Sequence, residues 1–97
     1  MFLKVHRAPE GAEVVAICDR ELLNTTITHG DITLRISESF YGNRPASEEE
    51  VRKNLQTASN ANLIGERCVA LAVEMGFVER SGCIMLGKVP HAQVFRI

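Results

Sequence analysis

Residues 12–18 read Ala-Glu-Val-Val-Ala-Ile-Cys, and this run limits the possible folds more than any other segment. In extended backbone, successive side chains point to opposite faces. Val14, Ala16 and Cys18 would share one face and Val15 and Ile17 the other. Both faces are apolar, so the strand needs cover on both sides and belongs inside a sheet. The stretch before it, Phe2 to Arg7, alternates and is β-prone, and Ala8-Pro9-Glu10-Gly11 reads as a turn. The two runs predict an antiparallel hairpin.

Further along, Asp19 is placed to cap a short helical turn, Arg20 to Leu23, ending at Asn24. Thr25 to Thr28 is β-prone and His29-Gly30-Asp31 is a turn. Ile32, Leu34 and Ile36 alternate with Thr33, Arg35 and Ser37, the pattern of a half-buried strand. Residues 39–45 read as a loop. Ser47 with Glu50 three residues later forms a capping box, followed by Val51, Leu55 and Ala58 at helical spacing. Glu48–Arg52 and Glu49–Lys53 are i,i+4 pairs in the favourable order, and the acidic run 48–50 suits a helix N-terminus.

Ser59-Asn60 marks a break, after which a second helix is predicted from about Ala61 to Met75, stopping at Gly76. Its small residues Ala61, Gly65, Cys68 and Ala72 form a stripe that would let the helix lie closely on the sheet. Ser81-Gly82 is a turn, Cys83 to Leu86 a short buried strand, and His91 to Ile97 a last strand. The order is ββ-β-αα-ββ. It describes a single α+β domain over 1–97, with a mostly antiparallel sheet of about five strands and two main helices packed on one face.

Bulk composition excludes several classes. At 97 residues there is room for one domain, and 45% apolar with 24% charged residues is ordinary for a soluble globule. With one Tyr, four Phe and no Trp, the core is mainly aliphatic. A chain this small is expected as a monomer or homodimer. Eleven Lys+Arg stand against twelve Asp+Glu, so a strongly electrostatic DNA binder is not expected. No apolar stretch approaches the ~20 residues of a membrane span, and the opening Met-Phe-Leu-Lys-Val-His-Arg does not read as a signal peptide. The expectation is a cytoplasmic protein. Cys18, Cys68 and Cys83 are odd in number and widely spaced, as buried small hydrophobes are in a reducing compartment. His6, His29 and His91 are too scattered for a metal site, and no cofactor motif is present.

Three clusters remain that packing does not explain. In Ser37-Glu38-Ser39-Phe40-Tyr41-Gly42, two adjacent aromatics end a strand, and one of them, Tyr41 in this reading, could stack on a base. The alternative is a corner with Gly42 at positive φ. In Asn60 to Arg67, Asn62 and Glu66 would lie one helical turn apart as a donor–acceptor platform, unless they serve capping and packing. In Gly87 to Gln93, His91 and Gln93 project on the same side as Phe95 and Ile97. Polar groups there point to a buried network or a pocket mouth.

At these clusters the sequence resembles a family of small archaeal proteins, domain of unknown function 424. Ser-Glu-Ser-Phe-Tyr-Gly at 37–42, Asn-Leu-Ile-Gly-Glu at 62–66 and Val-Pro-His-Ala-Gln at 89–93 carry the resemblance. It runs from the Phe2–Arg7 opening to Arg96-Ile97 and falls on Phe40, Tyr41, Gly42, Asn62, Gly65, Glu66, Pro90, His91 and Gln93. The resemblance implies a single-domain cytosolic archaeal protein and supplies no activity, substrate or cofactor.

Three functional readings follow. The first is a non-enzymatic binding module for RNA or a ribonucleoprotein partner, with Phe40, Tyr41, Asn62, Glu66, His91 and Gln93 as the binding set and Arg44, Lys88 and Arg96 as scattered cations. The second is a small enzyme or metabolite binder in which Glu66 or His91 acts as general base, which requires both to meet in one pocket. The third is a protein-interaction domain in which the clusters lock helix to sheet.

Overall fold

The computed structural model describes residues 1–95. Five strands form the main sheet in the order β1-β2-β5-β7-β6. Strands β1 (Phe2–Arg7) and β2 (Glu13–Cys18) are the expected antiparallel hairpin, in register from Phe2↔Cys18 to Arg7↔Glu13. The β2 strand then pairs in parallel with β5 (Asn60–Ile64). Strand β5 pairs antiparallel with β7 (Val89–Phe95), which pairs antiparallel with β6 (Ile84–Leu86). Val15, Ala16, Ile17 and Cys18 are all buried, as apolar residues on both faces of an interior strand must be.

Two helices cover one face. Helix α2 (Glu48–Thr57) starts at the predicted capping box: Glu50 N–H donates to Ser47 Oγ at 3.1 Å and Ser47 N–H to Glu50 Oε1 at 3.5 Å. The Glu48–Arg52 pair forms at 3.2 Å, and Arg52 also reaches Glu74 at 3.0 Å, tying α2 to helix α3 (Glu66–Glu74). No Glu49–Lys53 pair forms among the described residues. Both helices bury apolar stripes against Val15, Ile17, Ala61, Leu63, Ala92 and Val94. A full Schellman motif ends α3: Phe77 N–H donates to Ala72 O and Gly76 N–H to Val73 O, with Gly76 at φ +80.

The predicted helix over 61–75 is corrected by this arrangement. Residues 60–64 are the central strand β5, and the helix begins only at Glu66. The pattern of 60–64 satisfies both periods, because Ala61 and Leu63 alternate with Asn60, Asn62 and Ile64. A run that short does not separate strand from helix. Pairing with β2 and β7 on both edges decides the matter, and Gly65 at φ +117 turns the chain into α3. Of the small-residue stripe, only Cys68 and Ala72 belong to the helix; both are fully buried.

The opposite face is partly covered by elements from 20–42. Strands β3 (Thr26–His29) and β4 (Ile32–Arg35) form a separate hairpin. Ile27, Leu34 and Ile36 pack with Ala16, Cys18, Ile64 and Leu86. The expected loop at 39–45 begins as a single helical turn, α1 (Glu38–Tyr41), closed by Gly42 at φ +76. Asp19 does not cap the turn at Arg20–Leu22. Its buried carboxylate instead accepts from Arg67 N–H at 2.9 Å and Cys68 N–H at 3.0 Å, so it caps α3. The expected burial of the strand at 83–86 holds only for Leu86, since Ile84 and Met85 are exposed. Residues 96 and 97 of the predicted last strand lie outside the described residues.

Candidate functional site

Alternation sorts the sheet's side chains into two faces. Leu3, Val5, Val15, Ile17, Ala61, Leu63, Ala92 and Val94 face the helices. Lys4, His6, Ala16, Asn60, Asn62, His91, Gln93 and Phe95 therefore project from the other face. The β3–β4 hairpin roofs one end of that face, over Leu86 and Val89. Helix α1 stands over β1 and β2. What remains open is a floor on β5, β7 and β6.

Three sequence clusters converge on this floor in part. The register places Lys4, Ala16, Asn62 and Gln93 in one row across four strands. At about 4.8 Å per strand, the row spans roughly 14 Å. Tyr41 is only 3% exposed and packs with Ala16, Cys18 and Ile64. Its hydroxyl donates to Asn62 Oδ1 at 2.8 Å, which joins the first cluster to the second. Burial pushes the Tyr41 phenol well above its ordinary pKa, so it keeps its proton. The expectation of Tyr41 as an exposed stacking ring is thereby overturned. Of the adjacent pair, Phe40 is the exposed member, at 36%.

Phe40 is held in place by its neighbours. Its ring stacks on His6 at 4.9 Å with a 22° interplanar angle and meets Tyr41 edge-on at 4.8 Å. His6 Nε2–H donates to the Phe40 carbonyl at 2.7 Å, and Lys4 Nζ donates to the Ser39 carbonyl at 3.0 Å. Gly42 permits this close seat, because a Cβ there would press on Lys4 Cβ at 3.2 Å and Leu3 O at 3.3 Å.

On the far side, Gly82, Ile84, His91, Ala92, Gln93 and Phe95 line an open groove of about 410 Å³. Phe95 is 67% and Ile84 60% exposed, which is unusual for large apolar side chains. Among the described residues, the side chains of His91 and Gln93 make no hydrogen bond to protein. Burial pulls the His91 pKa below its ordinary value, which favours the neutral ring with its one donor and one acceptor.

Glu66 lies elsewhere. It opens α3 on the helix side and pairs with Arg80 at 2.8 and 3.2 Å. His91 precedes Ala92, whose side chain faces the helices, and points the opposite way. The two candidate bases therefore do not share a pocket. Asn62 and Glu66 are not one helical turn apart, since a strand and Gly65 intervene. Of the scattered cations, Arg44 pairs with Glu50 at 3.5 Å, Lys88 is exposed, and Arg96 lies outside the described residues.

Sequence reasoning underrated Phe95, His6 and Asn60. Phe95 was legible as an apolar residue in step with His91 and Gln93, but the exposure of that face depends on where the hairpin and α1 settle. No three His, Cys, Asp or Glu side chains among the described residues could hold a metal ion. No helix among them is long and apolar enough to cross a membrane.

A family model described as "Protein of unknown function (DUF424)" matches residues 6–97. A solved structure, an uncharacterized conserved protein from Methanopyrus kandleri, is similar with a TM-score of 0.77 and 27% identity, over 99% of this chain and 93% of that one. No curated protein matches.

Proposed function

The chain belongs to the DUF424 family, and from the geometry of its sheet we propose that it is a non-enzymatic module that seats single-stranded RNA on the open face of β5, β7 and β6. The observation that carries this reading is the chemistry of that face. Exposed Phe40 and Phe95 flank three amides, Asn60 and Asn62 on β5 and Gln93 on β7, with hydrogen-bonding capacity left over. Unpaired bases are bound by such surfaces through stacking on aromatic rings and hydrogen bonds to their edges. The three-strand floor, roughly 10 Å wide at the usual strand spacing, takes about two bases.

Charge supports the same reading. The molecule has a net charge of -1, yet the strand residues on this face include no Asp or Glu, and Lys4 stands at its edge. Glu48, Glu49, Glu50 and Glu74 gather on the helix side, while Glu21, Asp31 and Glu38 lie on the elements that cover the other end of this face. A phosphate backbone is therefore repelled more by the helix side than by the strand floor.

The test is a titration of the full chain with a labelled oligouridylate at two salt concentrations. Binding is expected to be weakly salt-dependent. With about two phosphate contacts, affinity should fall about sevenfold between 50 and 200 mM salt. Phe95→Ala should weaken binding by about tenfold, from the loss of one stacked base worth ~1–3 kcal/mol, with an unchanged melting temperature. Absence of binding at low salt, or full affinity in Phe95→Ala, contradicts the proposal.

A further inference from the structure

We infer that Tyr41 is a positioning residue for this face: by occupying Oδ1 of Asn62 it aims the Asn62 Nδ2 donors at the ligand, so the floor takes a base that presents an unpaired hydrogen-bond acceptor. The inference rests on the reading of the face as a seat for single-stranded RNA.

A free carboxamide can rotate by half a turn and offer either its oxygen or its nitrogen. At Asn62 that choice is made, because the Tyr41 hydroxyl donates to Oδ1 at 2.8 Å. The hydroxyl cannot drift, since the Tyr41 ring is packed among Ala16, Cys18 and Ile64. Nor can the amide flip without cost: the protonated phenol is buried, and Nδ2 in place of Oδ1 would leave its O–H without an acceptor among the described residues. The Nδ2 donors have no partner among the described residues, and Asn62 is only half-buried. Directly across the ladder, Gln93 is unconstrained and can complement whichever group lies beside that acceptor.

Every nucleobase has an acceptor on its pairing edge: O4 of uracil, N3 of cytosine, N1 of adenine, O6 of guanine. In a duplex that acceptor is already used. A fixed donor at Asn62 therefore favours unpaired over paired RNA, without selecting strongly among the bases.

The experiment uses the full chain labelled with ¹⁵N and a short oligouridylate. The expected result is that the Asn62 side-chain NH₂ signals shift on titration together with the β7 backbone amides. Tyr41→Phe should weaken binding about threefold and reduce the Asn62 side-chain shift. Asn62→Asp keeps the shape and an acceptor for Tyr41 but removes the donor, and should weaken binding by about tenfold or more. Melting curves identify a variant that has lost its fold, and the wild-type shifts decide the matter without any variant. Movement of the β7 amides with a silent Asn62 side chain, or full affinity in folded Asn62→Asp, overturns the inference and leaves the RNA reading standing. Silence of both overturns the RNA reading itself.

Discussion

Asp19 and Gly65 are far apart in the chain and cannot be understood separately. The Asp19 carboxylate satisfies two of the N–H groups that the start of α3 leaves open. To do so it lies where a side chain on residue 65 would be, and a Cβ there would collide with the carboxylate. Gly65 also sits at φ +117, where side chains are strained. Gly65→Ala should therefore destabilise by about 3 kcal/mol or more, through overpacking and backbone strain together. In a domain of this size that lowers the melting temperature by ~10 °C or more. Adding Asp19→Ala removes the collision, so the double variant should be less damaged than the two single losses added. Thermal melts of the three variants check this, and strict additivity would remove the collision from the account. From the sequence alone, Asp19 is a cap for the next residues. That it caps a helix some 48 positions on is a tertiary fact, which no local pattern contains.

At the level of elements, legibility follows how far each segment's own residues decide its state. The β2 strand was readable because two apolar faces admit only an interior strand. Helix α2 was readable because Ser47 and Glu50 satisfy its open N–H groups locally. By contrast β5 took its conformation from neighbours: five residues with two possible periods became a strand because β2 and β7 offered hydrogen bonds on both edges. Helix α1, a single turn, lies below the length at which a helix signals itself in sequence. The same logic predicts where protection is deepest. Backbone amides of 61–64, bonded on both sides and buried under α3, should exchange with solvent among the slowest in the molecule. Those of β3, in a two-stranded exposed hairpin, should exchange among the fastest. A hydrogen-exchange profile with 61–64 behaving like a frayed helix end would contradict the assignment of a central strand.

For the whole molecule, the decisive feature is asymmetry between the two faces of one sheet. Helices α2 and α3 close one face and carry the acidic first turn of α2. The other is closed only at one end, and its open part presents Phe40, Phe95, Asn62, His91 and Gln93. The candidate residues were legible as a remainder that packing could not explain. Their grouping was not, because it depends on strand register and on where the hairpin stops. Glu66 left the group and Phe95 joined it for that reason. The most direct measurement is a map of backbone amide shifts on the full chain titrated with oligouridylate. The responding amides should be those of residues 40, 60, 62, 91, 93 and 95, with α2 and α3 silent. Shifts confined to the helix side, or no shifts at low salt, would contradict it.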